Sequence, residues 1–204
     1  MVINMSKSNN SNDNLTKIQK TLENFCLPTW DELPPIYLYM DQVIELTAKY
    51  FGDVSVLMGE EKVLTAPMIN NYIKLKAMPA PIKKRYGKIH LAYILMISSL
   101  KQCMNISAMK SIIPLSDDEN EVRRMYESFI CNQRSSLSTL REIMTPIIEK
   151  ASGSDKADSD TILQIVLSAN LMKVFTYGFT ATDDEGDNSQ AKSKTKQEDD
   201  VSEG

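Results

Sequence analysis

The chain has 204 residues and a mass of 23.0 kDa, with 42% hydrophobic and 25% charged residues. That suits one globular domain or two small ones and excludes a large multidomain enzyme. A net charge of -4 argues against a uniformly basic coat, and three scattered cysteines with a single histidine leave little for a zinc finger or a Cys/His catalytic cluster. The charge is nevertheless segregated. Residues 1–61 carry a net -5, residues 62–110 a net +9 with no Asp or Glu, residues 111–180 a net -3, and residues 181–204 a net -5.

In chain order, residues 1–14 are short polar groups and read as a disordered leader. Leu15, Ile18, Leu22 and Phe25 give a short amphipathic repeat that Pro28 interrupts. The stretch LPTWDELPPIYLY reads as a tether, its prolines stiffening the backbone while Trp30, Leu33, Ile36, Tyr37 and Leu38 pin it over a core. Asp41 is placed to cap a helix that runs to about Phe51, with Tyr39 and Met40 as a staple and Gly52 as the stop.

The basic block follows. Thr65 is an N-cap, Pro67 fits a first helical turn, and Met68, Ile69, Tyr72 and Ile73 recur at helical spacing, leaving Asn70, Asn71 and Lys74 opposite. Pro79 and Pro81 prevent continuation. In IKKRYGKIH, Gly87 predicts a reversal between residues 82–86 and 88–89, a small two-stranded ribbon. Residues 90–103 read as an almost wholly buried helix, and Asn105 or Ser107 caps a short successor ending near Pro114.

Three more helices are expected beyond Leu115: one from Ser116 or Asp117 to Ile130, one over residues 135–150 with Ser138 as a cap and Pro146 as a bend or end, and one over residues 159–179 after the linker ASGSDKADSD. Residues 181–204 read as an acidic disordered tail that could fold back over the basic block. The domain reading is a leader (1–14), an N-terminal domain (15–114), a C-terminal helical dimerisation or effector region (115–180) and the tail.

Two short helices followed by a basic ribbon can present one helix to a DNA major groove and the ribbon to the flanking backbone. On this expectation Asn70, Asn71 and Lys74 contact bases, Lys76, Lys83, Lys84, Arg85 and Lys88 contact phosphates, and Tyr86 packs the ribbon. Ordinary helix polarity competes for the asparagines, and a solvated surface or an acidic protein partner competes for the cations.

The strings LYMDQV (38–43), MINNY (68–72) and IKKRY (82–86) resemble an uncharacterised, mainly Gram-positive bacterial family of unknown function with a MerR-like winged helix-turn-helix. The resemblance implies that residues 68–73 form the recognition helix, with Arg85 and Tyr86 in the wing. Asn70, Asn71 and Tyr72 depart from the arginine and paired aromatics usual there, and Pro114 and Pro146 break the long helix through which such proteins dimerise.

The resulting expectation is a mainly α protein, a MerR-like winged helix-turn-helix with a small β-ribbon wing and a C-terminal helical region, acting as a DNA-binding transcriptional regulator. The alternative is a protein-interaction module of the same fold. No enzyme motif, metal or cofactor is indicated. Double-stranded DNA is the expected partner, with a homodimer and an unspecified small-molecule effector left open. No apolar run approaches the roughly 20 residues of a membrane span, so a soluble cytoplasmic protein is expected.

Overall fold

The computed structural model describes residues 17–18, 20–57, 59, 62–152 and 159–180. The expected leader, the acidic tail and residues 153–158 of the linker lie outside them. A helical stretch within residues 17–24 precedes α1 (Met40–Leu57), α2 (Ala66–Lys74), α3 (Lys88–Leu100), α4 (Ile106–Ile112), α5 (Glu119–Ser152) and α6 (Ser159–Thr180).

α3 is the axis of the fold. Every residue from His90 to Ser98 is buried, the setting in which an all-round apolar helix is stable in water. It packs against α5 and α1, and α1 also meets α2. At roughly 1.5–3 kcal/mol for each large apolar side chain withdrawn from water, Leu91, Ile94, Leu95, Met96 and Ile97 make α3 the main source of hydrophobic stabilisation. Tyr93 closes its far side. The hydroxyl donates to the Pro114 carbonyl at 2.7 Å and accepts from the Ser116 amide at 2.8 Å, fixing the connection between α4 and α5.

The tether wraps the outside of this core. Trp30, Leu33 and Leu38 are buried, whereas Ile36 and Tyr37, expected beside them, are exposed. Tyr126 of α5 donates to the Pro28 carbonyl, Arg123 pairs with Asp31 at 3.1 Å, and Arg141 donates to the Leu22 and Glu23 carbonyls. The first turns of α5 thus hold the tether, and a later turn holds the segment before it.

Several boundaries differ from the sequence expectation. α1 does not stop at Gly52, which has no positive φ and no crowding; Ser55 donates to the Gly52 carbonyl and the helix continues to Leu57. Glycine permits a stop without imposing one. Residues 119–152 form one helix of 34 residues in place of two. Asp118, not Ser116 or Asp117, caps it by accepting from the Glu121 amide. Ser138 is interior. Pro146 removes one amide donor, but Pro146 and Glu142, whose carbonyl loses its partner, are both exposed, so water can replace the bond.

α6 was expected as an ordinary helix in a chain without a membrane-length segment. Residues Ile162–Thr180 are in fact long and apolar enough to span a bilayer by length and composition, and none of that stretch is buried. The apolar residues are interleaved with Gln164, Ser168, Asn170 and Lys173, so no uninterrupted run betrays them.

The ribbon expectation fails outright. Among the described residues there is no β-strand, only two isolated antiparallel bridges, Leu38 with Tyr86 and Ile82 with Arg85. The protein is mainly α-helical, and the winged helix-turn-helix with a β-ribbon is excluded. Gly87 does not reverse the chain. Its extended backbone (φ -95°, ψ -170°) opens α3, and Lys88 and Ile89, expected in the second strand, form the first helical turn.

Candidate cationic interaction surface

α2 is built from its ends inward. Thr65 is extended and its hydroxyl accepts from the Met68 amide at 3.4 Å, with Pro67 in the first turn. Ile69 and Tyr72 are buried, which turns Asn70, Asn71 and Lys74 to solvent. Asn70 and Lys74 are four residues apart and share a face.

The helix ends in a Schellman motif. The Lys76 amide donates to the Ile73 carbonyl, and the Ala77 amide to the Tyr72 carbonyl. Such an ending needs a left-handed residue, usually glycine, and here it is Lys76 with φ +53°. Exposed beyond the last carbonyls of α2, its ammonium complements the negative end of the helix dipole.

The real reversal lies three residues before Gly87. Ile82 and Arg85 exchange both backbone hydrogen bonds at 3.0 Å, leaving Lys83 and Lys84 as the two central residues at φ +50° and +63°. Two consecutive positive φ values mark the two-residue turn that favours Asn-Gly. The sequence Lys-Lys carries no such signature, and so the turn went unseen while Gly87 drew attention. A Cβ at Gly87 would stand 2.9 Å from Cε1 of Tyr37, an exposed ring that can swing aside.

Lys74, Lys76, Lys83, Lys84 and Arg85 are exposed, and no ion pair among the described residues engages them. Lys88 is not one of this set. Its ammonium donates to the Trp30 carbonyl at 3.1 Å and lies 5.8 Å from the centroid of the Trp30 ring. Tyr86 is 1% exposed, bonds through its backbone to Leu38, and meets His90 edge-on with ring centroids 5.7 Å apart. Burial raises its phenol pKa.

An open cleft of about 640 Å³ joins α2 to the lysine turn, with Asn70 and Lys84 on one side and Tyr39, Met40, Asp41 and Ile44 of the α1 start on the other. Sequence reasoning missed this second wall. It read Tyr39 and Met40 as a staple and Asp41 as a cap, whereas Tyr39 is exposed and its amide donates to the Gln42 side chain. No pattern in the sequence signals that the α1 start faces the turn; the Leu38 to Tyr86 bridge brings them together.

These observations correct the functional expectation. With no β-strand among the described residues there is no basic wing, and the reading as a DNA-binding transcriptional regulator of MerR type loses the element on which it stood.

Residues 28–129 match the family described as Domain of unknown function (DUF1836), half of the chain, and the chain belongs to that family. The match runs from the tether through α4 into the first turns of α5, so it includes the cationic surface and leaves out α6. No curated protein and no solved structure matches the chain.

Proposed function

We propose that this member of the family is a protein-interaction module whose cationic face receives an acidic, amphipathic segment of a partner protein. The observation that carries the reading is backbone strain. Among the described residues, the only three with positive φ other than glycine are Lys76, Lys83 and Lys84, exposed lysines that end α2 and form the turn after it. A left-handed conformation costs an L-residue roughly 1–2 kcal/mol, and glycine or asparagine would relieve it. Strain of this kind concentrates at ligand-binding surfaces. The cleft beside the lysines supports an amphipathic protein segment over a phosphate backbone, because its lining also offers Tyr39, Met40 and Ile44 as apolar contacts that a phosphate backbone has no use for.

The test is a titration of a fluorescein-labelled amphipathic peptide of Glu and Leu against the full chain at roughly 0.15 M salt, where distant charges are screened beyond about 8 Å. Saturable binding weakened tenfold or more by Lys83→Gln/Lys84→Gln is expected. Equal binding by the variant, or tighter binding to a random-sequence DNA duplex, overturns the reading.

A second reading concerns α6, which we propose pairs with α6 of a second copy. Ile162, Leu163, Val166, Leu167, Leu171 and Phe175 are all more than half exposed, an arrangement that water disfavours. The Tyr177 hydroxyl accepts from the Asn105 amide at 3.2 Å, so the helix is docked beside α4 of the folded body. That docking and Lys173 within the apolar stretch favour a second copy over a bilayer. Sedimentation of the full chain should give an oligomer that Leu167→Glu/Leu171→Glu converts to monomer. A monomeric wild type, or flotation with phosphatidylcholine vesicles, rejects the pairing.

A further inference from the structure

Phe25 before the tether, Phe51 and Val54 of α1, Val63 ahead of α2, and Phe129 of α5 line a cavity of about 430 Å³. Its volume falls in the range of small-molecule pockets, roughly 300–1,000 Å³. Phe25 and Phe51 meet at a ring-centroid distance of 5.8 Å with planes tilted by 53°. Phenyl groups from three separate elements thus contribute to one wall system, which suits a flat aromatic guest through offset and edge contacts.

Ser98 is the second observation. The residue lines the same cavity from α3 and is 5% exposed, and its Oγ, turned away from solvent in this rotamer, has no hydrogen-bond partner. The neighbouring Ser99 meets its own need by donating to the Leu95 carbonyl at 2.9 Å. A buried hydroxyl without a partner forfeits the hydrogen bonds that water gave it in the unfolded chain. Among the described residues Lys101 is the one cation on the cavity's lining and already has an interaction of its own, and none of the described lining residues is a carboxylate. Among those residues a cationic ligand would find no counter-charge.

We infer that this cavity binds a compact, uncharged aromatic molecule carrying one hydrogen-bonding group, which meets the Ser98 hydroxyl once that side chain rotates toward the cavity, while its ring lies among Phe25, Phe51 and Phe129. The site is separate from the cationic cleft, and neither proposal needs the other.

Naphthalene and 2-naphthol are the probes, titrated into the full chain by displacement of N-phenyl-1-naphthylamine fluorescence. Saturable binding of both is expected, with 2-naphthol at least fivefold tighter. Ser98→Ala should abolish that preference, and Val54→Trp should remove both ligands by filling the cavity. A second measurement needs no variant. Cys103 lines the cavity, whereas Cys26 and Cys131, also exposed, do not. Saturating 2-naphthol should slow iodoacetamide alkylation of Cys103 at least threefold, read by peptide mass spectrometry, and leave the other two unchanged. No saturable binding, a preference retained in a folded Ser98→Ala protein, or equal protection of all three cysteines overturns the inference.

Discussion

The Tyr126 hydroxyl donates to the Pro28 carbonyl at 2.8 Å across 98 residues of sequence, and the Tyr126 side chain is fully buried. This bond joins α5 to the tether beside Trp30, whose ring meets Tyr126 edge-on at 6.2 Å. Tyr126→Phe keeps the ring and leaves a buried carbonyl unpaired, a loss of about 1–3 kcal/mol that urea unfolding measures. Burial first, and then neighbouring acidic groups, hold the Tyr126 pKa well above the ordinary tyrosine value.

The sign of the pH dependence follows from that direction. Below about pH 10 the phenol is protonated in both the folded and the unfolded chain, and its contribution is fully present. As pH rises past that value the unfolded chain releases the proton first, so stability falls through the alkaline range. Tyr93 and Tyr86, also raised by burial, add to the same limb. Tyr126→Phe should flatten it in part; an unchanged slope above pH 10 would contradict the assignment.

His90 makes a second long-reach link. Its Nδ1 accepts from the Gly87 amide at 3.1 Å, so the ring proton resides on Nε2, which reaches the Ala80 carbonyl at 3.0 Å. One ring closes the start of α3 and ties down the loop before the lysine turn. His90→Ala removes both bonds from a buried position and should cost about 2–4 kcal/mol, the sum of lost hydrogen bonding and a side-chain void. His90→Gln, able to reach the Gly87 amide, should recover part of the loss. Nitrogen chemical shifts showing the proton on Nδ1 would contradict the geometry.

How much of this was readable beforehand depends on the kind of signal. Thr65, Asn105 and the run Leu91–Ile97 act through neighbours in sequence, and each does in the structure what its local chemistry dictates. The failures share a different cause. Glycine tolerates a turn without dictating one, and Gly87 stands in an extended conformation at the start of α3. Pro146 removes one amide whatever its surroundings, and only the fold shows that water reaches the Glu142 carbonyl it leaves unpaired. The cationic residues were legible as a charge block, while the cleft wall from α1 was not, since only the Leu38 to Tyr86 bridge places it there.

Lys83 and Lys84 allow strain and charge to be separated. Lys83→Asn/Lys84→Gly supplies the residues that the positive φ values favour and should stabilise the fold by about 0.5–1.5 kcal/mol after the added freedom of glycine in the unfolded chain is counted. Lys83→Gln/Lys84→Gln removes the same charges but keeps the strained backbone, so its thermal midpoint should stay close to wild type. Both pairs should weaken the acidic peptide alike, because binding depends on the ammonium groups. The combination of higher stability with lost binding is the signature of residues kept for a partner at the expense of the fold. Urea titration of the two double variants decides it: if Asn-Gly destabilises the chain, the left-handed lysines are not strained, and the reading of this face as a docking surface loses its main support.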